Sequence, residues 1–384
     1  MVKQFKELVT IAKQVRSLYI VYGNSVDSVF SAALLLKFFK EQDVDVFLAP
    51  FYEASKPHGE GLVIGLGILQ RPLSSIRFLS IDDFLGKDIS TIQSTSLYLI
   101  KNIKDFWIIP RALEVIALSA MLSLSKASSY DENLVEIHKE ILEECLSKDV
   151  WEYSESIRLF GYPRRDIVQA LEKSIEPYIP GLTLDSDNCI AMAKRVREEA
   201  KGDVVSRLVE EVEKMLSKYS RFAPKLRGPK LIVKNVEEVE DVYEAFYAMS
   251  LYMDLKGPEH LLYIALEPQI MKYLNSLMFS TLKQFKPFVN NLIQSAGIKR
   301  FIVKSIRIGV VDISTESRTP PLYTLYRILK GVGLAEEITV FTNGKEFILP
   351  VQFLEPRWPL DKEMNIEKNY VILPTLQSVG DVLK

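Results

Sequence analysis

The spacing of apolar positions changes period along the 384-residue chain. Leu18-Tyr19-Ile20-Val21-Tyr22 is an unbroken apolar run that stops at Gly23. Val26, Phe30, Ala33, Leu34 and Phe38 then follow helical spacing to about Glu41, and 43–48 alternates as a strand does. The span 18–48 therefore predicts a βαβ unit with a right-handed crossover, its first loop at the carboxyl edge of a parallel sheet. Two further strands are predicted at 61–67 and 76–81, the first apolar throughout as strands covered on both faces are. From Ser94 the period is helical: 94–103, 110–124, 131–146 and 164–174, then one long charged helix over 187–218.

The stretch 218–234 reads as a boundary between domains 1–217 and 218–384. It holds Lys218, Arg221, Lys225, Arg227, Lys230 and Lys234, no acid, and the turn pair Gly228-Pro229. A solvated linker accounts for this cluster better than a DNA contact does. Beyond it, strands are predicted at 231–233, 260–266, 299–304, 307–313, 338–341, 345–349 and 370–373, with helices over 237–253, 268–296 and 320–331. The fold class is α/β: a parallel-sheet domain with a helical extension, then a smaller mixed α/β domain.

Composition narrows the function classes. Hydrophobic residues make up 48% and charged residues 26%, an ordinary globular balance. The first 216 residues carry six more acids than bases and the remainder four more bases than acids, weak encouragement for nucleic acid on the second half. Residues 1–8 read as a short amphipathic helix, and no apolar window is long enough to span a membrane. A cytoplasmic protein is the expectation. Cys145 and Cys189 have no metal-type spacing and sit in helical patterns, where a buried thiol is the default.

Strand-end carboxylates invite metal-dependent phosphoryl hydrolysis, which needs a ring of Asp and His ligands. Asp27 stands alone in the first loop, with Ser25 two residues before it; the third strand offers Gly65, and the fourth ends in Asp82-Asp83-Phe84. His58, His138 and His260 occur in unrelated contexts and read as surface or capping residues. Asp82 and Asp83 suit a helix N-cap and first turn, and Asp27 suits capping its own helix. Gly65-x-Gly67 lacks the rest of a dinucleotide fingerprint, no Walker-type loop is present, and Gly331-Val332-Gly333 reads as a helix C-cap.

In order along the chain, these positions resemble the DHH phosphoesterase superfamily, in its RecJ-like branch. That family opens with His-x-Asp-x-Asp-Gly-x-x-Ser-Ala, and the similar stretch here is Gly23 to Ala32, with Gly23 for the histidine, Ser25 for the first aspartate and Asp27 retained. The family's strand-ending aspartate falls at Gly65, and its Asp-His-His at Asp82-Asp83-Phe84. Ser94-Thr95-Ser96-Leu97 is similar to its next helix start, and its further aspartate is missing between Phe106 and Tyr130. The second half resembles the associated DHHA1 domain, with Gly331-Val332-Gly333-Leu334 at the Gly-Gly-Gly-His motif and the strand arginine replaced by Ile313 or shifted to Arg318.

What the resemblance implies is a fold kept and a site lost. No catalytic residue, metal or cofactor is expected. The subgroup implied is the archaeal RecJ-like homologues of the replication factor that joins MCM and GINS in the replicative helicase. The expected role is a nucleoid-associated accessory subunit binding GINS, reaching MCM through the assembly, with single-stranded DNA a further candidate. The rivals are an active manganese-dependent exonuclease or small phosphodiesterase and a nucleotide-sensing module. Candidate DNA contacts are Lys283, Lys286, Arg300, Lys304, Arg307 and Arg318, because no acid occurs from 268 to 311 and phenylalanines are interleaved. Burial of those phenylalanines in the core is the stronger reading.

Overall fold

The computed structural model describes residues 2–54, 62–70, 77–80, 93–125, 128–199, 203–219, 225–358 and 364–383. Helix α1 (Val2–Val15) leads into β1 (Ser17–Tyr22), α2 (Val26–Lys40), β2 (Asp45–Pro50), β3 (Leu62–Leu66), β4 (Leu69–Gln70) and β5 (Arg77–Ser80). Strands β2-β1-β3-β5 form one parallel sheet in that order, with Val21 opposite Gly65 and Gly65 opposite Ser80. The predicted βαβ unit and both later strands are therefore present. Ile20 belongs to the apolar layer on one face, and Val21 and Val63 join Val351, Leu354 and Trp358 on the other. A strand covered on both faces has no use for a polar side.

Helix α2 is buried almost all round, Phe39 and Leu35 included, beyond the single apolar stripe its spacing suggests. Its covers are α3 (Thr95–Ile103), α4 (Arg111–Met121) and, from far along the chain, the 3-10 helix Pro258–Ala265. That last segment corrects the strand predicted at 260–266. Gly257, at φ +95°, ends the preceding helix and Pro258 starts the next, so the short apolar run turns with period three, burying Leu261 and Ile264 and exposing Tyr263.

The helical extension continues with α5 (Glu132–Cys145), β6 (Trp151–Ile157), α6 (Ile167–Lys173), α7 (Ser186–Glu199) and α8 (Val204–Leu216). The long helix predicted over 187–218 is thus two helices, the second capped by Asp203, whose carboxylate accepts the Val205 N–H. Strand β6 has no counterpart in the sequence reading. It pairs antiparallel with β7 (Arg227–Val233), Trp151 opposite Val233 through Ile157 opposite Arg227. Residues 227–233 of the basic stretch are therefore strand, not solvated linker. Lys230 is fully buried there, ion-paired with Asp241 at 2.8 Å and donating to the Leu159 and Tyr162 carbonyls.

Next come α9 (Val242–Lys256), α10 (Ile270–Ser295), β8 (Ile298–Val303), β9 (Ile306–Asp312), α11 (Leu322–Gly331), β10 (Ile338–Thr342), β11 (Phe347–Pro350), β12 (Arg357–Trp358), β13 (Ile366–Glu367), β14 (Tyr370–Leu373) and α12 (Leu376–Val382). A mixed six-stranded sheet runs β13-β14-β11-β10-β9-β8, with only the β9–β10 pair parallel. The short strands β4 and β12 pair in parallel, and the Trp358 indole donates to the Ala54 carbonyl at 2.9 Å. The protein is α/β, a parallel sheet with helices followed by a mixed sheet, and the two sheets share an apolar layer.

Candidate functional site

The loop after β1 sits at the carboxyl edge of the parallel sheet, where open α/β sheets place their ligands. Its three residues have each taken a structural task. Gly23 donates its N–H to the Leu66 carbonyl at 2.9 Å, and a Cβ there would lie 2.5 Å from the Gly67 carbonyl oxygen. Position 23 therefore has no room for a side chain. Asn24 reaches across to the second half, its Nδ2 donating to the carbonyls of Val351 at 2.7 Å and Leu354 at 3.0 Å. Ser25 caps α2, accepting the Ser28 N–H at 3.0 Å and sharing a hydrogen bond with the Ser28 hydroxyl at 2.8 Å.

Asp27 lies in the first turn of α2 but does not cap it, contrary to the sequence reading. Its carboxylate caps a different helix. Oδ1 accepts the Ser94 and Ser96 hydroxyls at 2.6 and 2.5 Å and the Ser96 N–H at 3.3 Å, while Oδ2 accepts the Thr95 N–H at 2.8 Å. These donors open α3, so a carboxylate there also meets the positive end of the helix dipole. The group is 1% exposed. Burial pushes its pKa up, and the four donors pull it back towards the ordinary range.

His138 completes the same anchor from α5. Its Nδ1 is 2.7 Å from the Leu134 carbonyl, and its Nε2 accepts the Ser94 N–H at 2.8 Å, which fixes the neutral Nδ1–H tautomer. Burial lowers its pKa, consistent with that neutral role. The capping reading of this histidine holds, and the imidazole nitrogens are both engaged. Of the other histidines, His260 is exposed beside Glu259 at 3.0 Å, and His58 lies outside the described residues.

A cleft of about 70 Å³ opens beside the loop, lined by Asn24, Ser25, Val26, Ser123, Ser250, Tyr323 and Gln352. Ser123 also accepts the Asp27 N–H at 3.1 Å. Gly65 is a buried strand residue between Val21 and Ser80. Asp82, Asp83 and Phe84 lie outside the described residues. Among the described residues, no group of three His, Cys, Asp or Glu side chains is placed to hold a metal ion.

At the second aligned motif, Gly331 to Leu334 forms a helix C-cap. Gly333, at φ +73°, donates to the Lys330 carbonyl at 2.9 Å and Leu334 to the Leu329 carbonyl at 2.9 Å. This is a Schellman ending for α11, in line with the glycine spacing. Ile313 is buried and Arg318 exposed.

The basic candidates divide. Lys286 is held by Asp185 at 2.6 Å, Arg300 by Glu336 at 2.6 Å, and Lys304 by Asp381. Lys283, Arg307 and Arg318 are exposed. Arg300, Lys304 and Arg307 share the β8–β9 hairpin, while Lys283 and Lys286 lie on α10. Phe285 is buried and Phe288 packs against the core, as the core reading of these rings anticipates, but Phe301 is 43% exposed. Cys189 is a buried thiol whose pKa burial raises to about 12.

The elements that do the work at the first loop are partly absent from the sequence reading. Ser94 and Ser96 stand in the Ser/Thr-rich helix start singled out above, yet their acceptor is 67 and 69 residues away. Asn24 carried no signal at all.

A parallel sheet with its first loop at the cleft, a helical extension and a second mixed sheet make up the α/β fold of this chain. CDC45 from Entamoeba histolytica shares that fold over 99% of this chain and 97% of its own, with a TM-score of 0.55 and 11% identity. RecJ from Thermus thermophilus, in complexes with Mn2+ and with Mg2+, aligns over all of this chain at a TM-score of 0.42 in both, with 11% and 12% identity; this chain spans 53% and 50% of those RecJ chains. No protein-family profile matches the chain, and no curated protein matches it in sequence.

Proposed function

We propose that this chain is a non-catalytic DNA replication factor: an accessory subunit of an archaeal MCM–GINS replicative helicase that binds GINS and meets MCM through the assembly. One observation carries the non-catalytic part. Asp27, the acid retained at the motif, spends its carboxylate on four donors from Ser94, Thr95 and Ser96 and is buried. An acid so engaged holds a helix; turning it to an ion would strand those donors. The fold shared with CDC45 supports the replication role. The two parts, 1–217 and 218–384, act here as one scaffold around the first loop, and the nucleoid is its proposed place in the cell. Single-stranded DNA remains a candidate ligand through Lys283, Arg307 and Arg318.

The test is reconstitution. Mixed with the GINS complex of its own source, the purified chain is expected to co-elute in gel filtration, and to leave single-stranded DNA intact in manganese buffer. Separate elution would sink the helicase role, and DNA cleavage lost on Asp27→Asn would sink the non-catalytic one.

A further inference from the structure

The mixed sheet ends at β8, which has a neighbour, β9, on one side only among the described residues. Four consecutive residues of this strand, Lys299 to Ile302, are exposed. Two are large and apolar: Phe301 is 43% and Ile302 76% exposed. Successive side chains of a strand point to opposite faces, so these two lie on opposite faces of the sheet. A helix laid on one face, or nucleic acid stacked on Phe301, would cover one of them and leave the other in water. Only continuation of the sheet covers both, because a new strand brings side chains to both faces and meets the outward N–H and C=O groups of β8.

Charge selects the kind of strand. No acid occurs from 268 to 311, and Lys299, Arg300, Lys304 and Arg307 surround the apolar pair, against Glu336 and Asp381. A second copy fits poorly. Antiparallel self-pairing that sets Phe301 against Ile302 places Lys299 opposite Lys304 at both ends, and like charges directly opposed destabilise a pair. Such charges are a common guard against edge-to-edge association, and they leave an acidic partner welcome.

We propose that the outer edge of β8 takes up an extended, acidic and apolar segment of a partner protein as a further strand of the mixed sheet. The inference goes beyond the helicase role and depends on this edge alone.

The probe is a labelled eight-residue peptide of alternating valine and glutamate, compared with the same peptide carrying two central prolines and with a valine–lysine version. Fluorescence anisotropy and amide exchange on the full chain read the result. The valine–glutamate peptide is expected to bind, to weaken with salt, and to slow exchange at the outward amides of 298–303 about tenfold. Ile302→Ser is expected to raise its Kd about tenfold, the effect of losing roughly 1.4 kcal/mol. Ile108→Ser, at a residue 92% exposed elsewhere, should leave binding unchanged. The proposal fails if the acidic peptide leaves 298–303 unprotected, or if the proline peptide binds as well. It fails equally if sedimentation shows a dimer that Ile302→Ser dissolves, or if oligothymidine protects β8 and the peptide does not.

Discussion

Gly23 and Gly67 abut at the mouth of the parallel sheet, so closely that a Cβ on Gly23 would lie 2.5 Å from the Gly67 carbonyl oxygen. Gly67 has φ +59°, and Ser28 Oγ fills the space where its own side chain would go. The loop after β1 and the turn after β3 are thus packed as backbone on backbone. Gly23→His is expected to lower stability by about 1–3 kcal/mol or more through overpacking. Urea unfolding checks this, and the variant should take up no manganese.

The Asp27 anchor predicts a stability phenotype. Asp27→Ala leaves the Thr95 and Ser96 N–H groups and two serine hydroxyls without their acceptor in a buried site. At about 1–3 kcal/mol per stranded group, a loss of roughly 3 kcal/mol or more is expected in equilibrium unfolding. The Ser94→Ala/Ser96→Ala double variant should destabilise in the same direction by removing the hydroxyl donors. Manganese should not raise the Tm of the unaltered chain, because a ligand that does not bind the folded state cannot stabilise it.

Asn24 joins segments more than three hundred residues apart, holding the carbonyls of Val351 and Leu354. Asn24→Ala is expected to cost about 1–3 kcal/mol. Amide exchange should quicken at 351–354, the segment this side chain ties down, while β8 and β9 exchange as before.

Buried acids give the chain a pH dependence of definite sign. Asp254 on α9 accepts the Thr324 N–H at 2.8 Å and its hydroxyl at 2.9 Å, and burial raises its pKa from the ordinary 3.8 to about 7. Between about pH 4 and pH 7 the folded chain therefore holds a proton that the unfolded chain has lost. Stability from this group falls as pH rises through that window and levels off above it. Asp27, raised by burial as well, acts in the same sense. Asp254→Asn, which keeps an acceptor for Thr324, is expected to flatten that slope by an amount on the order of a few kcal/mol, read from urea midpoints across pH.

Much of the fold was legible because period is a local property. The run 18–22 and the helix behind it needed no partner to be recognised, and β3 showed its two-sided burial in its composition. Where the reading failed, the deciding information lay elsewhere in the chain. The alternation in Trp151–Ile157 is short and mostly polar, and its pairing with a segment that reads as a linker makes Lys230 a buried ion pair instead of a solvated charge. The short run at 260–266 had length and apolarity compatible with either state, and Gly257-Pro258 settled it. At the site, the absence of a carboxylate or imidazole at Gly23, Ser25 and Gly65 is read directly from the sequence. The contacts of Asp27 are not, since they depend on Ser94, Ser96 and His138 arriving from two other helices.

Isothermal titration of the purified chain with manganese, with Asp27→Asn in parallel, tests most directly whether the first loop has become a helix anchor. The account predicts only heats of dilution from both proteins. Saturable uptake of about one or two ions per chain, abolished in Asp27→Asn, would contradict it.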